Sequence, residues 1–513
     1  MILPRRKVVK LAAIIEPLMI GFSYFVENPS TFFIMVLGVI FGLIFGCIPG
    51  LTAALAVALI LPFTYPMSSQ LGISLLISIY VGGISGGLYG ATLLNIPGTP
   101  SSLVTTFDGY PMAKKGYPAL ALSLGIFSSF MGGIFSSIVL TSVAPALAKV
   151  SLMFGPWEYF ALGIMGLCVV ISLCSDNITK GLIGASIGII LSTVGMDPVL
   201  GVNRFTFGKW QLMAGLPLLA TLMGFFAVCE ILKQTKYLNL TKELITVKEK
   251  VPIFPPFDII KKNKFVLLIS AIIGTWIGIL PGVGQSTGSL MAYNQARQMS
   301  KNPEIFGTGC EEGIIASEAA NNAVNGGAMI PMMTLGIPGD LVTAILLGGL
   351  VIHGLQPGPM LFRNSQDVVG VVFIAYFLSN IIMFIVSFIL LRFFIKLLKV
   401  SPSLLFPVIL IMCVLGTFTV NNRLFDVWVL LFMGILGYLF LEMGFRLPPI
   451  ILGYILSPIV EQNFRSAYIS SRGNILDVFT RPLSGSLMII AAIFLLYPYI
   501  ASILRKRKLN QLS

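Results

Sequence analysis

Residues able to do chemistry are sparse in this chain, and they gather beside Pro-Gly pairs rather than in nucleophile-and-base arrangements. Downstream of Pro97-Gly98 come Thr99, Ser101, Ser102, Thr105, Thr106 and Asp108, with Asn95 just upstream and no cation before Lys114. Neutral donors of this kind, together with N–H groups exposed where a half-helix begins, suit an anion held without arginine. Asn95, Gly98, Thr99, Ser101, Ser102 and Thr105 are therefore candidate substrate ligands. Thr334, Gly339 and Thr343 flank a second such pair, Pro338-Gly339, and add candidates from the opposite side. The competing use of each hydroxyl is to cap a helix end or to bond within its own helix.

A second group lies between Gly307 and Gly327, where Glu311, Glu312, Glu318, Asn321, Asn322 and Asn325 are set among alanine and glycine. Glu318, Asn321, Asn322 and Asn325 fall at i, i+3, i+4 and i+7, one face of a helix. A carboxylate on such a face costs several kcal/mol at bilayer depth, so the face either lines a path or belongs to a solvated helix outside the membrane. Candidate ligands for a coupling ion are Glu318, Asn321, Asn322 and Asp340, with the main chain freed at Pro49, Gly50, Pro281 and Gly282.

Other reactive types give less. His353 is the only histidine and has no second histidine or carboxylate beside it, which argues for a structural role and against a metal site or triad. The cysteines, Cys47, Cys168, Cys174, Cys229, Cys310 and Cys413, lack metal-type spacing and sit mostly in apolar runs, as packing residues do. Asp176-Asn177 and Asn421-Asn422 end apolar runs and read as interfacial helix caps. No Gly-Lys-Ser or Gly-Lys-Thr phosphate loop occurs, so transport would draw on an ion gradient rather than on ATP hydrolysed by this chain. No cofactor is expected beyond a sodium ion or proton as coupling ion.

What must position these residues is a membrane fold. Of 513 residues 56% are hydrophobic and 10% charged, well below the roughly 25% charged residues of a soluble domain. Apolar runs such as 32–46, 119–147, 212–232, 265–280, 368–391 and 484–503 approach or exceed the ~20 residues that span a bilayer as helix. Counting broken runs, an all-α polytopic protein of about 11–14 membrane segments is expected. The net charge of +13 lies mainly between the runs and at the ends. Arg5, Arg6, Lys7, Lys10 and the basic tail Arg505 to Lys508 place both termini in the cytoplasm by the positive-inside rule. A signal peptide is disfavoured because Glu16 and Pro17 interrupt the first apolar stretch.

Self-comparison adds an internal repeat. Gly42, Gly46, Pro49 and Gly50 share the spacing of Gly274, Gly278, Pro281 and Gly282. Leu94-Asn95-Ile96-Pro97-Gly98 resembles Leu335-Gly336-Ile337-Pro338-Gly339, and Val150-Ser151 with Phe154 and Pro156 resembles Val400-Ser401 with Phe406 and Pro407. The expected organisation is a basic and first apolar segment (1–29), a first repeat (30–233), a cytoplasmic linker holding Pro255 and Pro256 (234–264), a second repeat (265–504) and a basic tail (505–513). Proline removes a backbone donor and glycine admits unusual conformations, so each pair breaks a helix. Broken or re-entrant helices at membrane depth must be buried or line a wet cavity, and matched breaks in two halves point to a substrate site. Ordinary surface turns are the plainer reading of any single pair. Inverted halves conflict with a cytoplasmic linker, so either one terminal helix lies outside the repeat or the halves are parallel, and whether the segment 8–26 spans the bilayer or lies on its surface decides between them.

In these residues the chain resembles the large membrane subunit of the tripartite tricarboxylate transporters. The resemblance rests on Pro49-Gly50-Leu51-Thr52, Asn95-Ile96-Pro97-Gly98-Thr99-Pro100, Asp108-Gly109-Tyr110-Pro111, Pro281-Gly282-Val283-Gly284 and Glu312-Gly313. It continues through Glu318-Ala319-Ala320-Asn321-Asn322-Ala323, Leu335-Gly336-Ile337-Pro338-Gly339 and His353-Gly354-Leu355-Gln356-Pro357-Gly358-Pro359. It implies an inner-membrane symporter for citrate-like di- and tricarboxylates, driven by sodium ions or protons. It also implies two partners, a small membrane subunit and a periplasmic binding protein that delivers substrate. Asp340 departs from the pattern, since a small hydroxyl residue would suit that place better, and an acidic group there repels a carboxylate unless it holds the cation or a proton. The rival classes are a channel or assembly scaffold, and an intramembrane enzyme, for which the Glu318 face lacks a partner nucleophile, histidine or metal ligand.

Overall fold

The computed structural model describes residues 5–174, 177–197, 199–235, 244–247, 250–398, 400 and 402–510. Helix makes up 79% of the structure, and the described strand is one two-residue antiparallel ladder, Gly195–Met196 against Asn203–Arg204, so the class is all-α. The chain opens with α1 (Arg5–Glu27), α2 (Pro29–Cys47), α3 (Ala53–Ile60), α4 (Ser69–Leu94), α5 (Thr105–Lys114) and α6 (Pro118–Ser151). It goes on through α7 (Pro156–Cys174), α8 (Ile178–Ser192), α9 (Leu218–Met223) and α10 (Cys229–Gln234). Then come α11 (Phe257–Ile279), α12 (Gly284–Met299), α13 (Glu311–Leu335), α14 (Leu341–Ile352), α15 (Pro359–Asn364) and α16 (Gln366–Ile389). The last part holds α17 (Leu391–Leu397), α18 (Pro402–Asn421), α19 (Leu424–Glu442), α20 (Leu447–Ser470), α21 (Asp477–Thr480) and α22 (Pro482–Asn510).

Among the described residues, 6 helices are long and apolar enough to cross a bilayer: α2, α4, α6, α11, α16 and α19. Further apolar stretches lie in α3, α7, α8, α14, α18 and α22. The chain is therefore a multi-pass membrane protein. Helix ends follow local chemistry. Pro29 opens α2 at a position where its missing N–H is no loss. Ser68 caps α4, accepting from the Leu71 N–H, and Asn177 caps α8 through Thr179 at 2.9 Å. Asp176 lies outside the described residues. Pro256 precedes α11 with Asp258 in its first turn, so this helix begins at Phe257, inside the lysine-rich stretch and ahead of residue 265.

Two helix pairs form the centre, and both pack through glycine. Gly38, Gly42 and Gly46 of α2 set their Cα atoms against the α4 backbone at Leu75, Ile79 and Gly83. Gly274 and Gly278 of α11 do the same against α13 at Ala320 and Val324. Small residues at i, i+4 spacing let two backbones approach, and van der Waals contact then supplies the association that lipid cannot supply through hydrophobicity. The 18-residue apolar window of α4 is 94% buried, so α4 does not face lipid. α13 is too polar to score as a span, yet every residue from Gly313 to Thr334 is buried. The face of Glu318, Asn321, Asn322 and Asn325 thus lies inside the molecule, which excludes a solvated loop helix. α1 packs on α16, Gly21 meeting Gly370 backbone to backbone.

Away from the centre, the β-ladder is pinned to α20 by charge. Asp197 accepts from the N–H of Val199 at 2.8 Å and from Arg465, which also pairs with Glu461; Glu461 pairs in turn with Arg204. The Val199 N–H foremost, and the Arg465 guanidinium with it, hold the Asp197 carboxyl below its ordinary 3.8. A depressed folded-state value stabilises above the unfolded value and is lost as pH falls through the folded one. Hydrogen exchange at Val199 and Leu200, corrected for intrinsic rate, is expected to stay slow from neutral pH to about 4 and to quicken only below it.

Candidate functional site

Both second interruptions end their helix in the same way. Asn95 closes α4 in the left-handed region at φ 55°, and Gly336 closes α13 at φ 71°. Each donates its N–H to the carbonyl of the fifth-last residue of the preceding helix, Gly90 or Pro331, and Ile96 and Ile337 then donate to the same carbonyls at 3.3 Å. Asparagine and glycine are the residues that tolerate this turn. Next, Gly98 lies on the Gly46 carbonyl and the Cα of Gly87, and Gly339 lies on the Gly278 carbonyl and Ala328. Gly46 and Gly278 are in the last turn before Pro49-Gly50 and Pro281-Gly282, so the two interruptions of each stretch touch. Gly50 and Gly282 themselves have φ of 90° and 71°.

A capping box follows each interruption. Thr99 and Ser102 make one, and Asp340 and Thr343 the other. Around the first, Thr99 and Ser101 share a hydroxyl hydrogen bond of 2.6 Å, and the hydroxyls of Thr99 and Ser102 rest on Gly87, which has no side chain to displace them. The hydroxyl of Ser286, near the start of α12, donates to the Pro100 carbonyl at 3.0 Å, so this tip meets the second stretch of the chain. Asn95 is exposed, and what the structure gives it is the left-handed cap.

Two buried carboxylates stand nearby. Glu318 accepts from Thr105 Oγ1 at 2.5 Å and from Ser129 Oγ at 2.7 Å. Asn322 accepts from Ser85 Oγ at 2.7 Å. Asn321 is fully buried with no hydrogen bond of ordinary length from either side-chain atom. Asp340, 1% exposed, accepts at Oδ1 from the Thr343 N–H and hydroxyl, both at 2.6 Å, and at Oδ2 from Tyr80 and Gln285. Among the described residues no lysine or arginine pairs with Glu318 or Asp340.

The structure thus brings Thr105 to Glu318, and Thr343 to Asp340, and leaves others committed elsewhere. Thr334 donates to the Ile330 carbonyl of its own helix at 2.7 Å, the self-bonding use of a helical threonine. His353 lies 3.2 Å from Thr64 Oγ1 and against Gly72, tying the end of α14 to the turn after α3. Cys47, Cys168, Cys229, Cys310 and Cys413 are free thiols. Sequence reasoning missed Tyr80, Ser85, Ser129 and Gln285 as partners, although polar groups inside apolar runs are a signal in themselves. It also missed the use of Asp108, whose Oδ1 accepts from the N–H groups of Gly307, Gly309 and Cys310 at 2.9, 2.8 and 2.7 Å. Tyr293 donates to its other oxygen at 2.8 Å, so Asp108 clamps α5 to the loop before α13.

Half-helices that meet at interruptions, capped by hydroxyls and backed by buried carboxylates without cations, define a polytopic membrane transport protein. The chain belongs to the tripartite tricarboxylate transporter TctA family, whose model matches residues 32–452. That is a transporter family, and its members work as parts of a three-component system. An Agrobacterium vitis protein described as an uncharacterized 52.8 kDa protein in the TAR-I ttuC' 3' region is 34% identical over 417 residues, 81% of this chain and 83% of that protein. A second from the same organism, described as an uncharacterized protein in the TAR-II ttuC' 3' region, is 33% identical over 234 residues, 46% of this chain and 97% of its own length. No solved structure matches the chain.

Proposed function

We propose that this chain is the translocating subunit of an ion-gradient-driven carrier for small, citrate-like di- and tricarboxylates in the inner membrane. A periplasmic binding protein delivers the substrate, a small membrane subunit accompanies the chain, and a sodium ion or proton is the coupling ion. The observation that carries this reading is the tip at 95–102, where N–H groups and the hydroxyls of Thr99, Ser101 and Ser102 gather around a broken helix with no carboxylate on the tip. Such a tip presents donors and partial positive charge to an anion. The buried Glu318 and Asp340 are placed to hold the coupling ion, as an anion site would not.

Matching glycine packing, left-handed caps and capping boxes support a duplicated architecture in which α1 and α22 lie outside the repeat, so that the second repeat ends before Pro482 and not at 504. Leaving both out removes the conflict between inverted halves and a cytoplasmic linker. Transport then proceeds by alternating access, with the capped tips moving as a unit against the remaining helices.

Thr99→Ala and Ser101→Ala are each expected to lower uptake of labelled carboxylate in reconstituted vesicles by about tenfold or more, the value of one hydrogen bond to a charged group. Asn95→Gly, which keeps the left-handed cap, separates a ligand from a turn residue: it lowers uptake only if the amide itself touches substrate. Uptake at the wild-type rate in both the Thr99 and Ser101 variants would discard this site.

A further inference from the structure

Tyr80 of α4, Gln285 of α12, Asn325 of α13 and Asp340 before α14 come from four separate elements and converge on one point. That point is the Gln285 side-chain nitrogen. It lies 2.8 Å from Tyr80 OH and 3.0 Å from Asn325 Oδ1, and it also contacts Asp340 Oδ2. An amide –NH2 has two hydrogens, and here it faces three oxygens. The Asn325 Nδ2 atom, in a side chain that is 0% exposed, has no partner. Tyr80, Asn325 and Asp340 are at most 1% exposed and Gln285 is 8% exposed, so the cluster is closed to water.

Charge points the same way. The Thr343 N–H can only donate, so Asp340 Oδ1 is fixed as an acceptor, and the carboxyl group stands at the N-terminal end of the 12-residue α14 with no cationic side chain beside it among the described residues. One uncompensated negative charge inside a membrane protein is costly, and a cation is the group that removes the cost. Hard cations take oxygen ligands, and the oxygens on offer are one carboxylate, one phenol and the side-chain carbonyls of two amides. A single formal charge matches a monovalent ion and not a divalent one.

We propose that Asp340, Asn325, Tyr80 and Gln285 form a binding site for a dehydrated monovalent metal cation, and that the Gln285 amide nitrogen stands where the ion sits. On binding, the Gln285 side chain swings aside and turns its Oε1 inward, giving a fourth oxygen. Rotation about the side-chain torsions of Gln285 withdraws the amide and re-aims its oxygen, so this needs no backbone movement. The proposal deepens the carrier reading, on which it rests, by giving the coupling ion a seat on the interruption at Pro338-Gly339 and making the Asp340 departure from the family pattern functional. It also joins α4 of the first stretch to α12, α13 and α14 of the second, so occupancy would alter how the two hold together.

The test is thermal unfolding of the full-length chain in detergent, titrated with sodium chloride or potassium chloride against choline chloride at constant ionic strength. The wild type is expected to gain a saturable rise in melting temperature with one or both metal ions. Asn325→Ala and Tyr80→Phe are expected to raise the half-saturating concentration by about tenfold or more, at least the loss that follows removal of a supporting group at a metal site. Asp340→Asn, nearly isosteric, should abolish the rise. No saturable rise with either ion in the wild type overturns the proposal, as does an unchanged titration in Asp340→Asn; should that variant fail to fold, unchanged titrations in both Asn325→Ala and Tyr80→Phe overturn it. Carboxylate uptake by the same variants, reconstituted into vesicles with the small membrane subunit and the binding protein, separates the two readings. A saturable rise without uptake supports the cation site and sinks the carrier, whereas uptake without any rise sinks the cation site alone.

Discussion

Valine at Gly98 or at Gly339 is expected to prevent the folded protein from accumulating, and alanine at either to lower its melting temperature severely. A Cβ at Gly98 would collide with the Gly46 carbonyl, and one at Gly339 with the Gly278 carbonyl and Ala328. The two carbonyls are backbone in the last turn of α2 and α11, and Ala328 of α13 presents only its Cα and Cβ, so no flexible side chain can give way. Overpacking a tight interior costs typically 1–3 kcal/mol when side chains can shift, and a clash against main chain on both sides belongs at or beyond the upper end. Gly348 provides the control. It is an interior residue of α14 whose Cβ would meet Leu218 and Leu222 at ordinary contact, 3.7 and 3.8 Å. Alanine there is expected to be neutral or to stabilise by up to about 1 kcal/mol through helix propensity. Chromatography of detergent extracts and melting temperatures of the purified variants check the contrast. If alanine at Gly98 and Gly339 behaves like alanine at Gly348, the touching interruptions are not what holds the centre together.

The same glycines show how much of the site is legible in the sequence. Pro-Gly pairs mark where helices must stop, and the structure puts positive φ at Gly50 and Gly282, while left-handed caps fall at Asn95 and Gly336. The polar face of α13 was legible because its period of i, i+3, i+4 and i+7 is a local property. Partners were not. Tyr80 sits in an apolar helix 260 residues from Asp340, and Ser129 is 189 residues from Glu318, so only the packing of α4 on α14 and of α6 on α13 brings them together. Roles of single residues were legible only as types. A threonine beside a Pro-Gly pair can cap, bond its own helix or hold a second side chain, and Thr99, Thr334 and Thr105 turn out to do these three things respectively. The number of spans was the least legible feature, because hydropathy measures transfer into lipid while α13 exchanges lipid for protein on every side.

Glu318→Gln is expected to leave the protein folded and to stop gradient-driven uptake, whereas Glu318→Leu is expected to destabilise it. Both follow from the hydroxyls of Thr105 and Ser129, which donate to the carboxylate at 2.5 and 2.7 Å in a fully buried site. Leucine removes the acceptor from both, and each buried hydroxyl left without a partner costs about 1–3 kcal/mol. Glutamine keeps one acceptor oxygen and replaces the other with a donor, which a hydroxyl can accept by rotating. The net change in that case is within about 1.5 kcal/mol, the value of a single neutral hydrogen bond. What glutamine does remove is the charge. If Glu318 serves only to join α13 to α5 and α6, the glutamine variant has the same joint and transports normally. If the carboxylate takes up a proton or faces the coupling ion during the cycle, the variant folds, melts near the wild-type temperature and no longer concentrates substrate. Melting temperature and uptake against an imposed sodium or proton gradient, measured on the same preparations, read the two consequences separately. Concentrative uptake that persists in a stable Glu318→Gln protein would remove Glu318 from the coupling machinery and leave Asp340 as the charged group able to fill that role.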